Sequence, residues 1–114
     1  MIITKDTPFK KSEIKKLAEE YEVYIKTVID IENKTCCAGM HMHYEGEQIL
    51  LERNSDQSNI WGGGIDLETC EVDFNSLINI RPNDNNNRNE IQDPEVKQKY
   101  NSLTKYFFEA ILKS

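Results

Sequence analysis

The stretch from Leu77 to Pro94 constrains the fold of this chain more than any other. An apolar run from Leu77 to Ile80 ends at Arg81-Pro82, and a loop rich in asparagine follows. Proline cannot extend a central strand, and the loop residues have little apolar surface to bury. Asp93-Pro94 then has the features of a helix start, a capping side chain followed by proline at the first helical position. We therefore expect a last strand, a long surface loop and a final helix.

Composition limits the classes of protein to which the chain can belong. Its 114 residues lie near the commonest domain size, so we expect one domain over residues 1–114. The formal net charge is −6, and the basic residues alternate with acids, which argues against a nucleic-acid partner. No apolar run approaches the ~20 residues that span a membrane, and no secretory signal begins the chain. The three cysteines form no C-x-x-C pair, so we expect reduced thiols and a cytoplasmic location.

Two segments have the periodicity of amphipathic helices. Residues 8–21 follow the helix-opening pair Thr7-Pro8 and carry apolar side chains every three or four positions. The segment after Asp93 repeats this pattern and predicts a buried stripe of Val96, Tyr100, Leu103, Phe107 and either Ala110 or Ile111. Each helix should therefore pack one face and leave the other in water.

The middle of the chain reads as strands. Residues 23–32 alternate with period two, and Asn33 suits the tight turn of a hairpin whose second strand would be residues 35–43. Residues 48–53 and 60–67 are expected to be further strands, the latter distorted by Gly62-Gly63-Gly64. Residues 72–81 alternate most regularly of all. With a short strand at the N-terminus, these segments predict an α+β fold, a largely antiparallel sheet of five or six strands with two helices packed on one face.

His41-Met42-His43 is the motif that most resembles a metal site. On a strand, an H-x-H pair projects both imidazoles from one face, and Glu45 could add a carboxylate. The alternative without a function is that both histidines lie on the exposed side of a hairpin and bind no metal. The one cofactor that the sequence suggests is a divalent cation (calcium, magnesium or zinc). With such a cation bound, the alternative function is metal-dependent hydrolysis.

The Arg81 loop offers a different kind of site. Arginine and asparagine side chains donate hydrogen bonds to carboxylates and phosphates, and loops often bind ligands. The candidate ligand-binding residues are Asn79, Arg81, Asn86, Arg88 and Trp61. The alternative is that these side chains satisfy the backbone of the loop and cap the last helix.

The sequence also resembles a family of short bacterial and archaeal proteins catalogued only as a domain of unknown function. The resemblance covers nearly the whole chain and rests on Ser55, Gln57, Ile60-Trp61-Gly62, the run from Phe74 to Pro82, Asn86 and Asp93-Pro94. His43 and Glu45 match the family pattern, whereas His41 departs from it. The resemblance implies no activity, and it directs attention to His43, Glu45, Trp61, Asn79, Arg81 and Asn86.

These observations favour a binding or interaction module over an enzyme. The leading hypothesis is a polar site around the Arg81 loop for a small anionic ligand or a protein partner. The competing hypothesis is divalent-cation binding through His43, Glu45 and neighbouring carboxylates. A third is a homodimer built on an exposed sheet face or on the region of Trp61.

Overall fold

The computed structural model describes residues 1–112, and it consists of a five-stranded antiparallel sheet with helices on both faces. The strand order is β1-β3-β2-β4-β5. The strands are β1 (Ile3–Lys5), β2 (Tyr24–Asp30), β3 (Thr35–Ala38), β4 (Ile60–Asp66) and β5 (Val72–Asp73). The helices are α1 (Lys11–Tyr21), α2 (His43–Glu52), α3 (Pro94–Phe107) and α4 (Glu109–Leu112). The predicted α+β class and antiparallel sheet are confirmed.

Strand β2 lies at the centre of the sheet, and its alternating side chains supply two cores. Ile25 and Ile29 point to the face that α1 and α3 cover, where they join Leu17 and Phe107 in the larger cluster. Val28 points to the opposite face and joins a smaller cluster with Cys37, Met40, Leu50 and Ile60. The two predicted helices thus share one face, as expected, and a third helix, α2, covers part of the other.

Helix α2 corrects the prediction for residues 35–53. The strand expected over residues 35–43 ends at Ala38, so His41-Met42-His43 does not lie on a strand, and of the strand expected over residues 48–53, residues 48–52 are helical. Gly46 argues locally against a helix, because glycine costs about 1 kcal/mol relative to alanine inside one. In the structure a Cβ at Gly46 would lie 2.8 Å from Met40 Cε and 2.9 Å from Val28 Cγ2. Close packing of helix on sheet therefore requires the glycine that local propensity disfavours.

The strand expected over residues 72–81 is also wrong beyond its first residues. Strand β5 pairs only Val72 and Asp73 with β4. Ser76 then starts a 3₁₀ turn over Leu77–Asn79, its Oγ accepting a hydrogen bond from the amide of Ile78 at 3.3 Å. Leu77 and Ile80, which the predicted strand would have included, are exposed at the surface.

The three glycines of β4 pair regularly, so the expected distortion is absent from this strand. Gly62, Gly63 and Gly64 lie opposite Val28, Thr27 and Lys26 of β2 in continuous register.

The last helix begins as predicted: Asp93 Oδ1 accepts from the amides of Glu95 and Val96, and Pro94 is its first residue. Helix α1 begins at Lys11, three residues later than the predicted Pro8. None of the helices in residues 1–112 is long and apolar enough to cross a membrane.

Candidate functional site

The side chain of Asn79 makes hydrogen bonds to the edge of β4 at Gly62, a position that the short strand β5 does not reach. Its Oδ1 accepts from the amide of Gly62 and its Nδ2 donates to the carbonyl of Gly62, each at 2.9 Å. Nδ2 also donates to the carbonyls of Phe74 and Asn89. A carboxamide has the donor and acceptor of a peptide group, so it can pair with an exposed strand edge as a neighbouring strand would. All the hydrogen-bonding groups of this buried side chain are therefore engaged in the fold.

Asn86 performs a similar task inside the loop that precedes α3. Its Nδ2 donates to the carbonyls of Asn79, Arg88 and Glu90, each at 2.9 Å, and its Oδ1 accepts from the amide of Gln92. The side chain of Arg88 is exposed. The asparagine-rich loop is thus organised around one buried amide, and that amide is not free for a ligand.

Arg81 and Trp61 form a buried stack. The guanidinium carbon lies 4.0 Å from the centre of the indole ring, and the Arg81 side chain is only 9% exposed. Nη1 donates to the carbonyl of Gln57, and Nε lies 3.5 Å from Asp84 Oδ2. Nε and Nη2 of Arg81 and Nε1 of Trp61 have no hydrogen-bond partner among residues 1–112. Burial lowers the pKa of Arg81, while the charges of Asp84 and Glu47 oppose that shift.

These contacts favour a bracing role for Arg81. It connects the loop at Gln57, the core at Trp61 and the turn at Asp84, and two acids already compensate its charge. A second anion would meet the repulsion of those acids. Of the predicted ligand-binding residues, the structure therefore brings Arg81 and Trp61 together and uses Asn79 and Asn86 to hold backbone.

The residues predicted to bind metal each make a different contact within the fold. Glu45 Oε1 accepts from the amide of Met42 at the start of the helix, at 2.9 Å. His43 Nε2 is 2.7 Å from the carbonyl of Gly63, and the ring of His41 lies edge-on to Tyr21. Nowhere in the described part of the chain do three His, Cys, Asp or Glu side chains come together in a metal-binding arrangement.

A cleft of about 270 Å³ lies between the start of α2 and the 3₁₀ turn at Leu77–Asn79. We call it the His43 cleft. Its polar residues are Lys26, His43 and Ser76, and its apolar residues are Met42, Tyr44, Leu77 and Ile78. Met42 is 50% exposed, Tyr44 56% and Leu77 68%. The cleft is therefore an apolar, solvent-accessible space with a few polar groups, which is the composition typical of small-ligand sites.

The imidazole of His43 is held in one tautomer. A carbonyl oxygen can only accept, so the contact with Gly63 requires the proton on Nε2. Burial lowers the pKa of His43, with a further lowering by the charge of Lys26, whereas the bond to Gly63 and the charge of Asp73 raise it. The ring is consequently neutral near neutral pH, with Nδ1 as an acceptor.

The glycines of β4 make room for this arrangement. A Cβ at Gly62 would lie 2.8 Å from Ser76 Oγ and 3.1 Å from His43 Cδ2. At Gly64 a Cβ would overlap the ring of Tyr24, which packs beside Lys26. A side chain at Gly62 would displace two residues that line the cleft, and one at Gly64 would displace the ring beside Lys26.

Sequence reasoning identified His43 but missed its surroundings. Arg81 and Trp61 are not among the residues that line the His43 cleft, although Ser76, Leu77 and Ile78 precede Arg81 closely. Lys26, Met42 and Leu77 were expected on three different strands. One signal for a helix start was present, because Glu45 follows Met42 at the spacing of a capping glutamate.

Comparison with known proteins gives a family and no function. No curated protein and no solved structure matches the chain. The model of one family, described as "Protein of unknown function (DUF5674)", matches residues 1–107, nearly the whole chain. This match confirms the resemblance to a family of unknown function. The chain belongs to the DUF5674 family of proteins of unknown function.

Proposed function

We propose that this protein is a ligand-binding module whose site is the His43 cleft. The observation that carries the proposal is the exposed apolar lining. Six large apolar side chains in the described residues are exposed (Met1, Met42, Tyr44, Leu77, Ile80 and Tyr106), and Met42, Tyr44 and Leu77 from this set line the same cleft. Grouped exposed apolar side chains are unfavourable in water and mark interaction sites.

The size of the cleft favours a small ligand. Its volume of about 270 Å³ lies just below the roughly 300–1,000 Å³ range of sites for drug-sized molecules. The ligand should have an apolar body that packs between Tyr44 and Leu77, and at least one polar group directed to the polar residues of the cleft. The small anionic ligand expected near Arg81 is thus retained as a hypothesis, but its binding residues are different.

Fluorescence of 1-anilinonaphthalene-8-sulfonate tests this proposal. We expect saturable binding to the folded wild-type protein, because the dye combines an apolar body with one anionic group. Leu77→Gln should weaken binding about tenfold or more, since losing the burial of one apolar side chain costs about 1.5–3 kcal/mol and glutamine adds no charge that would attract the anionic dye. Leu77 is largely exposed, so the variant should stay folded by circular dichroism.

Tyr106→Gln is the matched control. Tyr106 is another exposed apolar residue, on α3 and away from the His43 cleft, and the substitution introduces the same neutral polar side chain. Binding in this variant should equal that of the wild type. Equal binding by Leu77→Gln and Tyr106→Gln, or no binding at all to the wild type, would refute the proposal.

A further inference from the structure

We propose that the natural ligand of the His43 cleft is a small monocarboxylate with an apolar tail, and that its carboxylate pairs with Lys26. This inference rests on the proposed function, because it specifies the head group of the ligand that the cleft binds. Lys26 and the charged and polar groups around it determine which head group the cleft can hold.

Lys26 is a half-buried cation without an acidic partner. It lies on β2 opposite Gly64 and contributes its side chain to the cleft. The ion pairs found in residues 1–112 involve the N-terminus, Lys5, Arg81 and Lys97, and none involves Lys26. Lys5, Lys26 and Lys97 are the lysines of residues 1–112 that are partly buried, and Lys26 is the one of these three without an ion pair. Removal of a lysine from water without a partner is costly, and a carboxylate in the cleft would supply one.

Asp73, an acid on the same face of the sheet, makes its hydrogen bonds with neutral donors. Asp73 Oδ2 accepts from the hydroxyl of Tyr24 at 2.6 Å, and Asp73 Oδ1 accepts from Nδ2 of Asn75 at 2.6 Å. The ammonium of Lys26 instead lies 5.7 Å from the centre of the Tyr24 ring. Asp73 is therefore engaged by Tyr24 and Asn75 and forms no ion pair with Lys26.

The charge balance favours one negative charge on the ligand. His43 is neutral and its Nε2 proton is committed to Gly63, so Lys26 is the only cation among the residues that line the cleft. A phosphate dianion would need further cations or donors, and it would be repelled by Asp73. A carboxylate needs one cation, and the apolar lining of Tyr44 and Leu77 suits a hydrocarbon or aromatic tail.

Three probes with the same tail and different head groups test the inference: hexanoate, hexanol and hexylamine. Binding is followed by NMR from the imidazole resonances of His43, and His41, the other of the two histidines, serves as an internal reference outside the cleft. We expect hexanoate to bind about fivefold or more tightly than hexanol, because a charge-assisted hydrogen bond is roughly twice as strong as a neutral one. Hexylamine should bind most weakly.

Lys26→Met should reduce the affinity for hexanoate to that for hexanol, since methionine keeps an unbranched apolar side chain and removes the charge. Lys15→Met removes the same charge from the exposed face of α1 and should leave the difference intact. Equal binding of hexanoate and hexanol to the wild type would overturn the inference and leave the proposed function standing. The absence of a His43 shift with all three probes would overturn both. The wild-type comparison does not depend on whether the Lys26 variant folds.

Discussion

At the scale of single residues, Asn79 shows how one side chain can complete a sheet. Its amide pairs with both backbone groups of Gly62, beyond the point where β5 ends. Asn79→Asp would place a second oxygen against the carbonyls of Gly62, Phe74 and Asn89 in a fully buried position. We expect a loss of about 3–5 kcal/mol in the free energy of unfolding, the cost of an uncompensated buried charge, measured by urea denaturation. Asn83→Asp, on the exposed loop, should change stability little; a similar loss in both variants would contradict the role of Asn79 in completing the sheet.

His43 should make stability depend on pH. Its pKa in the folded state is lowered, mainly by burial, whereas the unfolded chain should take up a proton near the ordinary value of about 6.5. The folded state therefore binds fewer protons, so this contribution is complete above about pH 6.5 and is lost as the pH falls toward the folded-state pKa. His43→Gln keeps a donor for Gly63 and removes the titration. In thermal denaturation, the stability of the wild type relative to the variant should fall from about pH 7 to about pH 5. A constant difference would refute the lowered pKa of His43.

At the scale of elements, the glycines of β4 and α2 should lose different amounts of stability when they are replaced by alanine. A Cβ at Gly63 would overlap the backbone carbonyl of Asp73, so β4 and β5 could not keep their spacing. A Cβ at Gly46 would meet the flexible end of Met40, which can move, and also Cγ2 of the stiff, buried Val28 at 2.9 Å. Gly63→Ala should therefore cost about 3 kcal/mol, and Gly46→Ala about 1–2 kcal/mol, because alanine recovers helix propensity at Gly46 that offsets part of the overlap. Urea denaturation of both variants measures the difference, and equal costs would contradict it.

The same elements show where sequence patterns succeed. Strand β2 was predicted from period-two alternation, and α3 from the Asp93-Pro94 start, because both signals act through neighbouring residues in the chain. Helix α2 and the end of β5 were not predictable in this way. Gly46 is favourable only when Met40 and Val28 pack against it, and the segment after Asp73 can leave the sheet only because Asn79 takes its place.

At the scale of the whole molecule, the sheet order predicts an uneven stability. Strand β2 has a hydrogen-bonded neighbour on each side and a hydrophobic core on each face, whereas residues 83–89 form an exposed loop apart from Asn86. Amide hydrogen exchange should therefore be slowest at Ile25 to Ile29, where exchange requires global unfolding, and much faster in the exposed loop of residues 83–89. Exchange of the β2 amides at the rate of the loop would contradict this topology.

The sequence predicted some of the residues in and near the candidate site, but not their roles. The sequence identified His43, Trp61, Asn79, Arg81 and Asn86 as residues of interest, and each makes a specific contact in the structure. Their roles could not be predicted, because whether a polar side chain serves the backbone or a ligand depends on which groups it meets in space. The His43 cleft was missed because Lys26, Tyr44 and Leu77 are far apart in sequence and meet only after α2 and the 3₁₀ turn have formed.

By itself, the sequence determined the α+β class, the central strand β2 and the helices α1 and α3. Those features follow from hydrophobic periodicity and from caps, which are local and act along the chain. The tertiary structure alone decided that residues 43–52 are helical, that β5 is short and that Arg81 stacks on Trp61. It also decided the position of the His43 cleft. These outcomes depend on close packing and on hydrogen bonds between distant residues, where the free energy of burial outweighs local preference.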